Sequence, residues 1–344
     1  MIICFFGFYN KEYSRNRVLR AALSHEGVTV INCVSRKKGI QKYIDLIRQY
    51  RAIGAHDAVL VAFPGQQAAI LARMISRKKI LFDPFFSLFD SLVHDRKHYV
   101  AWHPAATYYW CIDWLSLRCA DMCIFDTYAH RDFFMRRYGY PKEKTARVLV
   151  GSDTSVFFPR EKSEVDTAFR VHFHGTNIPL QGVPYILNAA ALLEDEHIIF
   201  TVIGSSIKKI YAEGASHNVS FVEDVLYEDL PVYISNADVC LGVFGDTQKV
   251  NLVIPNKVYE AWACGRAVIT ADTPAMRELG IDTENVLLCA PANPEALAEK
   301  IRILLDNQKL REAIAEKGRE TFVHEASTEA ISRELMKVLL GMLH

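Results

Sequence analysis

One pattern occurs twice along this chain: short apolar runs rich in β-branched and aromatic residues, separated by segments with helical spacing. In the first half Ile2 to Phe6, Val28 to Cys33, Ala58 to Phe63 and Lys79 to Asp83 have the strand pattern. Asn16 to Leu23, residues 38–52 and Ala68 to Ile75 have the helical one. In the second half Phe169 to Phe173, Ile198 to Ile203, Val219 to Phe221, the run from Val239 and Ala267 to Thr270 alternate with Val183 to Leu193, Leu230 to Ala237, Lys257 to Cys264 and Glu295 to Leu305. Asn293 followed by Pro294 is a helix start, a capping side chain ahead of a residue whose missing N–H costs nothing in the first turn. Strands alternating with helices pair in parallel, so two such halves predict an α/β chain of two Rossmann-like, doubly wound domains facing across a cleft. The turn-rich stretch from Gly151 to Pro159 separates them. Domains are therefore expected at 1–155 and 156–325, with a C-terminal helix in 326–344 packing back toward the first.

A length of 344 residues suits two domains, and half the residues are hydrophobic against 23% charged, which excludes a disordered chain. No run approaches the roughly 20 uncharged apolar residues that span a bilayer. Residues 1–7 lack a basic flank and a small-residue cleavage site, and are expected to form a first strand rather than a leader. Eight cysteines lie scattered, mostly in apolar runs and never as a CxxC pair, so buried free thiols in a reducing cytosol are expected, and neither a metal site nor a redox motif. The net charge of zero conceals an asymmetry: residues 1–155 hold 23 Lys and Arg against 13 Asp and Glu, and the remainder 17 against 27. A basic half suits phosphates, an anionic membrane face or an anionic acceptor; attraction between the halves explains it equally well.

Ligands of open α/β sheets bind beyond the carboxyl ends of strands, where helix starts present unpaired N–H groups. The segment His174 to Gly182 lies after a strand and before a helix, and its glycines would let a phosphate approach the backbone. Further on, Asn256 is placed to cap a helix whose first turn holds Lys257, so a diphosphate there would meet amides, the positive dipole end and an ammonium. Glu260, one turn later, is suited to accept both hydroxyls of a ribose, and Lys249 is a second cation. Read blandly, Lys257 and Glu260 are a helix-surface pair worth a few tenths of a kcal/mol. Aromatic residues between Tyr99 and Trp114 suit a lipid or sugar surface, though core packing explains them better. His94, Asp95 and His98, and the basic runs at Arg77 to Lys79 and Arg136 to Arg137, are expected in solvated loops and faces.

Gly175 with Pro179 to Gly182, Asp224 to Asp238, and above all Pro255-Asn256-Lys257-Val258-Tyr259-Glu260-Ala261-Trp262-Ala263-Cys264-Gly265 resemble the nucleotide-binding half of retaining glycosyltransferases of family 4, which have the GT-B fold. The likeness spans roughly residues 170–325. In the first half it rests on the fold pattern, on Tyr13 to Arg17 and on Asp126 to His130. The resemblance implies a nucleoside-diphosphate sugar donor bound mainly by the second domain and a glycan, lipid-linked or small-molecule acceptor bound by the first. Glu260 would hold the ribose, and Asn256, Lys257 and Val258 would meet diphosphate and sugar. Phe244, Gly245, Asp246 and Lys249 would border the donor sugar, Gly204 and Val222 the base, and Gly7, Gly175, Thr176, Gln181 and Gly182 complete the donor-binding set. Asp83, Lys249 and Lys257 are the candidate catalytic residues, Asp83 in a positioning role. Two positions depart from the family pattern: Leu252 stands where many members carry a Glu toward the donor sugar, and Gln181 where they carry a Lys toward the diphosphate.

The expected activity is transfer of a sugar to a hydroxyl acceptor with retention of configuration, in the cytoplasm or peripherally on an anionic membrane face. No metal, no cofactor beyond the donor and no nucleic acid is expected. A nucleotide-sugar epimerase of the same fold and an inactive binding module are the alternatives.

Overall fold

The structure, a computed structural model, describes residues 1–162 and 168–344. It divides into two compact units, Met1–Val150 with Thr328–His344, and Gly151–Ser327. The divisions thus fall at 150/151 and 327/328, where the sequence reading placed them at 155/156 and 325/326.

The first unit runs β1 (Ile2–Gly7), α1 (Ser14–His25), β2 (Thr29–Val34), α2 (Gln41–Ala52), β3 (Ala58–Val61), α3 (Gln66–Ile75), β4 (Lys79–Phe82), α4 (Pro104–Arg118), β5 (Met122–Phe125), α5 (Tyr128–Tyr138) and β6 (Thr145–Arg147). Its six strands are parallel in the order β2-β1-β3-β4-β5-β6. Ile3 to Phe6, Val59 to Val61 and Ile80 to Phe82 are fully buried, as continuous apolar strands covered on both faces must be. The last strand of this sheet, β6, ends at Arg147. Val148 and Leu149 leave the sheet, and their carbonyls accept from Arg15 Nη1 at 2.8 and 2.7 Å. The chain's last helix lies against α1, and Ser332 Oγ donates to the Ala22 carbonyl at 3.0 Å.

The second unit runs β7 (Phe169–His174), α6 (Val183–Ala191), β8 (Ile198–Ile203), α7 (Ser205–Tyr211), β9 (Val219–Val222), α8 (Leu230–Asn236), β10 (Val239–Leu241), α9 (Asn256–Ala263), β11 (Ala267–Ala271), β12 (Leu287–Cys289), α10 (Pro294–Asp306) and α11 (Gln308–Thr321); α12 (Thr328–Leu343) is the helix returned to the first unit. The strand order β12-β11-β10-β7-β8-β9 is all parallel and reverses direction between β7 and β10. That switch point leaves a crevice at the carboxyl ends of these two strands, the place where such sheets take ligands. Asn293 Oδ1 caps α10 by accepting from the Ala296 amide at 2.8 Å, with Pro294 in the first turn.

Six of the cysteines are buried; Cys111 is exposed and Cys119 half-exposed, both near the surface of α4. No described helix is long and apolar enough to cross a membrane.

Candidate active site

At the switch point two glycine loops meet backbone to backbone. The loop after β7 folds back through a short turn at Pro179–Gln181, and the loop after β10 lies on it: the Phe244 amide donates to the Gln181 carbonyl and the Gly245 amide to the Leu180 carbonyl, both at 3.2 Å. Gly182 has φ +67°, and a Cβ there would stand 2.5 Å from the Gly245 nitrogen. A Cβ on Gly245 would collide with the Pro179 carbonyl, and one on Gly204 with the Gly175 carbonyl. Close backbone approach therefore requires these glycines, and it brings Gly175, Gln181, Gly182, Gly204, Phe244 and Gly245 together. Val222, half-buried at the end of β9, accepts from the Gly204 amide at 3.0 Å; Thr176 and Asp246 are exposed.

α9 begins at this crevice. Asn256 is its first residue and the cap position is Pro255, with no side-chain cap, so the expected capping role of Asn256 is not realised. The Val258 amide donates to the Pro255 carbonyl at 2.9 Å, so that amide is not presented to a ligand. The side chains of Lys257 and Glu260 are both buried, which excludes the surface-pair reading. Lys257 Nζ donates to Gln181 Oε1 at 3.2 Å and lies 4.3 Å from the centre of the Phe173 ring. Burial pushes its pKa down to about 7, against the opposing pull of Glu260. An ammonium held by one neutral acceptor and a ring face has donors left for an anion. Gln181, where a Lys was missed, is thus the residue that holds Lys257. Leu252 is buried in the turn before α9, and Lys249 is half-buried in the same turn.

Glu260 has a partner the sequence did not announce. His174 Nε2 lies 2.9 Å from Glu260 Oε2, and His172 Nε2 lies 2.9 Å from His174 Nδ1. An ionised carboxylate only accepts, so His174 donates from Nε2, and one proton lies between His174 Nδ1 and His172 Nε2. His172 Nδ1 is buried and without a hydrogen bond, beside a cavity of about 180 Å³ lined by Arg170, Thr201, Ser220 and Tyr233. Burial, then the charges of His174 and Lys257, hold the His172 pKa well below its usual value, consistent with a neutral ring. The signal for this chain was the alternation at 172 and 174, which places both rings on one face of β7.

In the first unit Asp83 lies just beyond β4, fully buried, with Oδ2 2.9 Å from Arg15 Nε. Asp126 and His130 form a second buried pair at 2.6 Å, from the residue after β5 and the first turn of α5. Both of the resemblance's first-half segments therefore reach this cluster. Asp83, enclosed by Arg15, fits a positioning role better than contact with a substrate. Gly7, φ +148°, ends β1 in this unit.

Residues 157–321 match the family description Glycosyl transferases group 1. An uncharacterized glycosyltransferase of Methanocaldococcus jannaschii is 29% identical over 157 residues, 43% of this chain and 41% of that protein. The chain thus spans about two fifths of the length of the curated relatives it matches. Among solved structures, a sucrose-phosphate synthase from Thermosynechococcus elongatus superposes over 99% of this chain and 98% of its own, with a TM-score of 0.77 at 16% identity. HepE from Anabaena, in complex with UDP and glucose, covers 98% of both chains with a TM-score of 0.73 at 13% identity. Crevice, glycine loops and matched segment coincide in the second unit, so that this unit resembles the glycosyl transferases group 1, and the chain has the two-domain α/β fold known as GT-B.

Proposed function

We propose that the protein transfers a sugar from a nucleoside-diphosphate sugar to a hydroxyl acceptor, with retention of anomeric configuration. The observation that carries this reading is the buried Lys257 ammonium, held by a neutral amide oxygen at the start of α9 and one turn from a buried carboxylate. As the bond to the anomeric carbon breaks, negative charge grows on the leaving diphosphate. A preorganised ammonium and helix-start amides stabilise that charge more than the ground state. Glu260, with Oε2 held by His174, offers Oε1 to the ribose. The acceptor proton passes to the departing phosphate, and Asp83 positions rather than transfers.

Because HepE was solved with UDP and glucose, uridine-diphosphate sugars are the first donors to test. A thermal-shift series across UDP-, GDP-, ADP- and dTDP-sugars should raise the melting point with one base, since only the native state binds. Product configuration read by proton NMR then decides retention. Absence of binding to every donor overturns the reading, and acceptor-free interconversion of two nucleotide sugars replaces it with epimerisation.

A further inference from the structure

Helix α4 is built inside out for a helix on a water-facing surface. Its buried side carries Ala106, Asp113, Ser116 and Leu117, so its one acidic group points inward. Asp113 there accepts from Ser87 Oγ, Tyr138 Oη and the amides of Leu88 and Phe89. Its exposed side, at the spacing 104, 107, 108, 111, 114 and 115, is uncharged and includes Tyr108, Trp114 and Leu115. The loop entering the helix adds Val100 and Trp102, the latter 84% exposed. Only part of the aromatic run serves the core: Tyr99, Tyr109 and Trp110 pack beside Phe89, Val93 and Ala106.

Charge is arranged at both ends of this stripe. Arg96 and Lys97 are exposed before it, and Arg118 closes it with its guanidinium 4.0 Å from the centre of the Trp114 ring. Arg73 Nε donates to the Cys119 carbonyl at 2.8 Å, tying the end of α3 to the end of α4, and Arg77 and Lys78 follow exposed. Between residues 64 and 120 the only acidic side chains are Asp83, Asp90, Asp95 and Asp113, and all four are buried. Just beyond α4, the partly exposed Asp121 pairs with Arg73 at 2.6 Å and with Lys79 at 3.9 Å, and from Val100 to Arg118 the surface shows apolar groups with cations at its ends.

We infer that α4 and the loop before it dock the protein on an anionic lipid bilayer, the helix lying flat with Trp102, Tyr108, Trp114 and Leu115 at the headgroup boundary and the basic ends on anionic lipid. Aromatic rings with one polar atom favour that boundary. A two-fold contact between copies through the same face would bring like charges together at its ends, whereas anionic lipid neutralises them.

The test uses the full chain and flotation with phosphatidylcholine vesicles, with and without phosphatidylglycerol. Binding is expected only with the anionic lipid, with a blue shift of tryptophan emission, and should fall about fivefold for each of Arg77→Gln and Lys97→Gln. Trp102→Ser with Trp114→Ser should lower it at least tenfold while the far-ultraviolet circular dichroism and melting point stay unchanged. If that double variant unfolds, Trp102→Ser alone, in the loop, must reproduce a loss of binding. No association, association indifferent to lipid charge and to these substitutions, or a concentration-dependent dimer that Trp114→Ser abolishes would each overturn the inference.

Discussion

His174 and Glu260 are 86 residues apart in the chain and are joined by a 2.9 Å hydrogen bond between Nε2 and Oε2. The bond commits one carboxylate oxygen and orients the other. Replacing His174 with Leu should weaken nucleoside-diphosphate binding by about 1.5–3 kcal/mol, the range for a hydrogen bond to a charged group. His174→Gln, which can place an N–H near the same point, should recover most of that loss. Calorimetry with the best-binding nucleoside diphosphate reads both; equal losses in the two variants would mean that the ring matters only as packing.

Lys257 makes two opposite pH dependences. Its folded pKa of about 7 lies below the unfolded value near 10.4, so the unfolded state binds more protons between them. This group's contribution to the stability of the ligand-free protein therefore rises with pH from about 7 to about 10. Binding of a diphosphate needs the ammonium and should weaken as pH rises above about 7. Lys257→Met should leave the ligand-free melting point at pH 7 equal or higher while removing most of the ligand-induced shift. A diphosphate affinity that stays flat between pH 7 and 9 would show that Lys257 does not face the anion.

Two glycines in the same crevice should behave differently when a methyl is added. At Gly175 the nearest atoms to the new Cβ all belong to the amide end of Gln181, which can swing away. Gly175→Ala should then fold with a stability change within about 1 kcal/mol, yet lose diphosphate affinity because Gln181 no longer holds Lys257. At Gly204, φ +150°, the Cβ meets the Gly175 carbonyl, and Gly204→Ala should cost at least about 2 kcal/mol of stability. Urea unfolding of both variants separates the cases.

Asp113 serves the first unit rather than the crevice. Burial raises its pKa to about 6, above the unfolded value near 3.9, so the native state binds more protons between those values and this group's contribution falls as pH rises from about 4 to about 6. Asp113→Ala leaves Ser87, Tyr138 and two amides without their acceptor and should destabilise the chain by about 3 kcal/mol at pH 7. An unchanged urea midpoint would contradict the buried network.

Much of this molecule was legible from periodicity alone. Continuous apolar runs such as Ile3 to Phe6 and Val59 to Val61 can be satisfied only inside a sheet covered on both faces, so they specify parallel strands whatever surrounds them. The start of α10 at Asn293 and Pro294 was equally local, because a cap and a missing N–H act within one turn. The segment around Lys257 and Glu260 could be read for its chemistry because three residues of spacing place both on one helical face.

What tertiary structure alone decided is which groups those residues meet. That Lys257 leans on Gln181, that Glu260 is held by His174, and that Asp83 is enclosed by Arg15 each depend on strands brought side by side from positions 68 to 86 residues apart. The same holds for α4: its composition suited a core helix, and only packing showed its acidic residue turned inward and Trp114 turned outward. A sequence states the period at which side chains recur around an element. Which face of that period is buried, and so which pKa values move and which polar atoms find partners, follows from long-range contacts that no local pattern encodes.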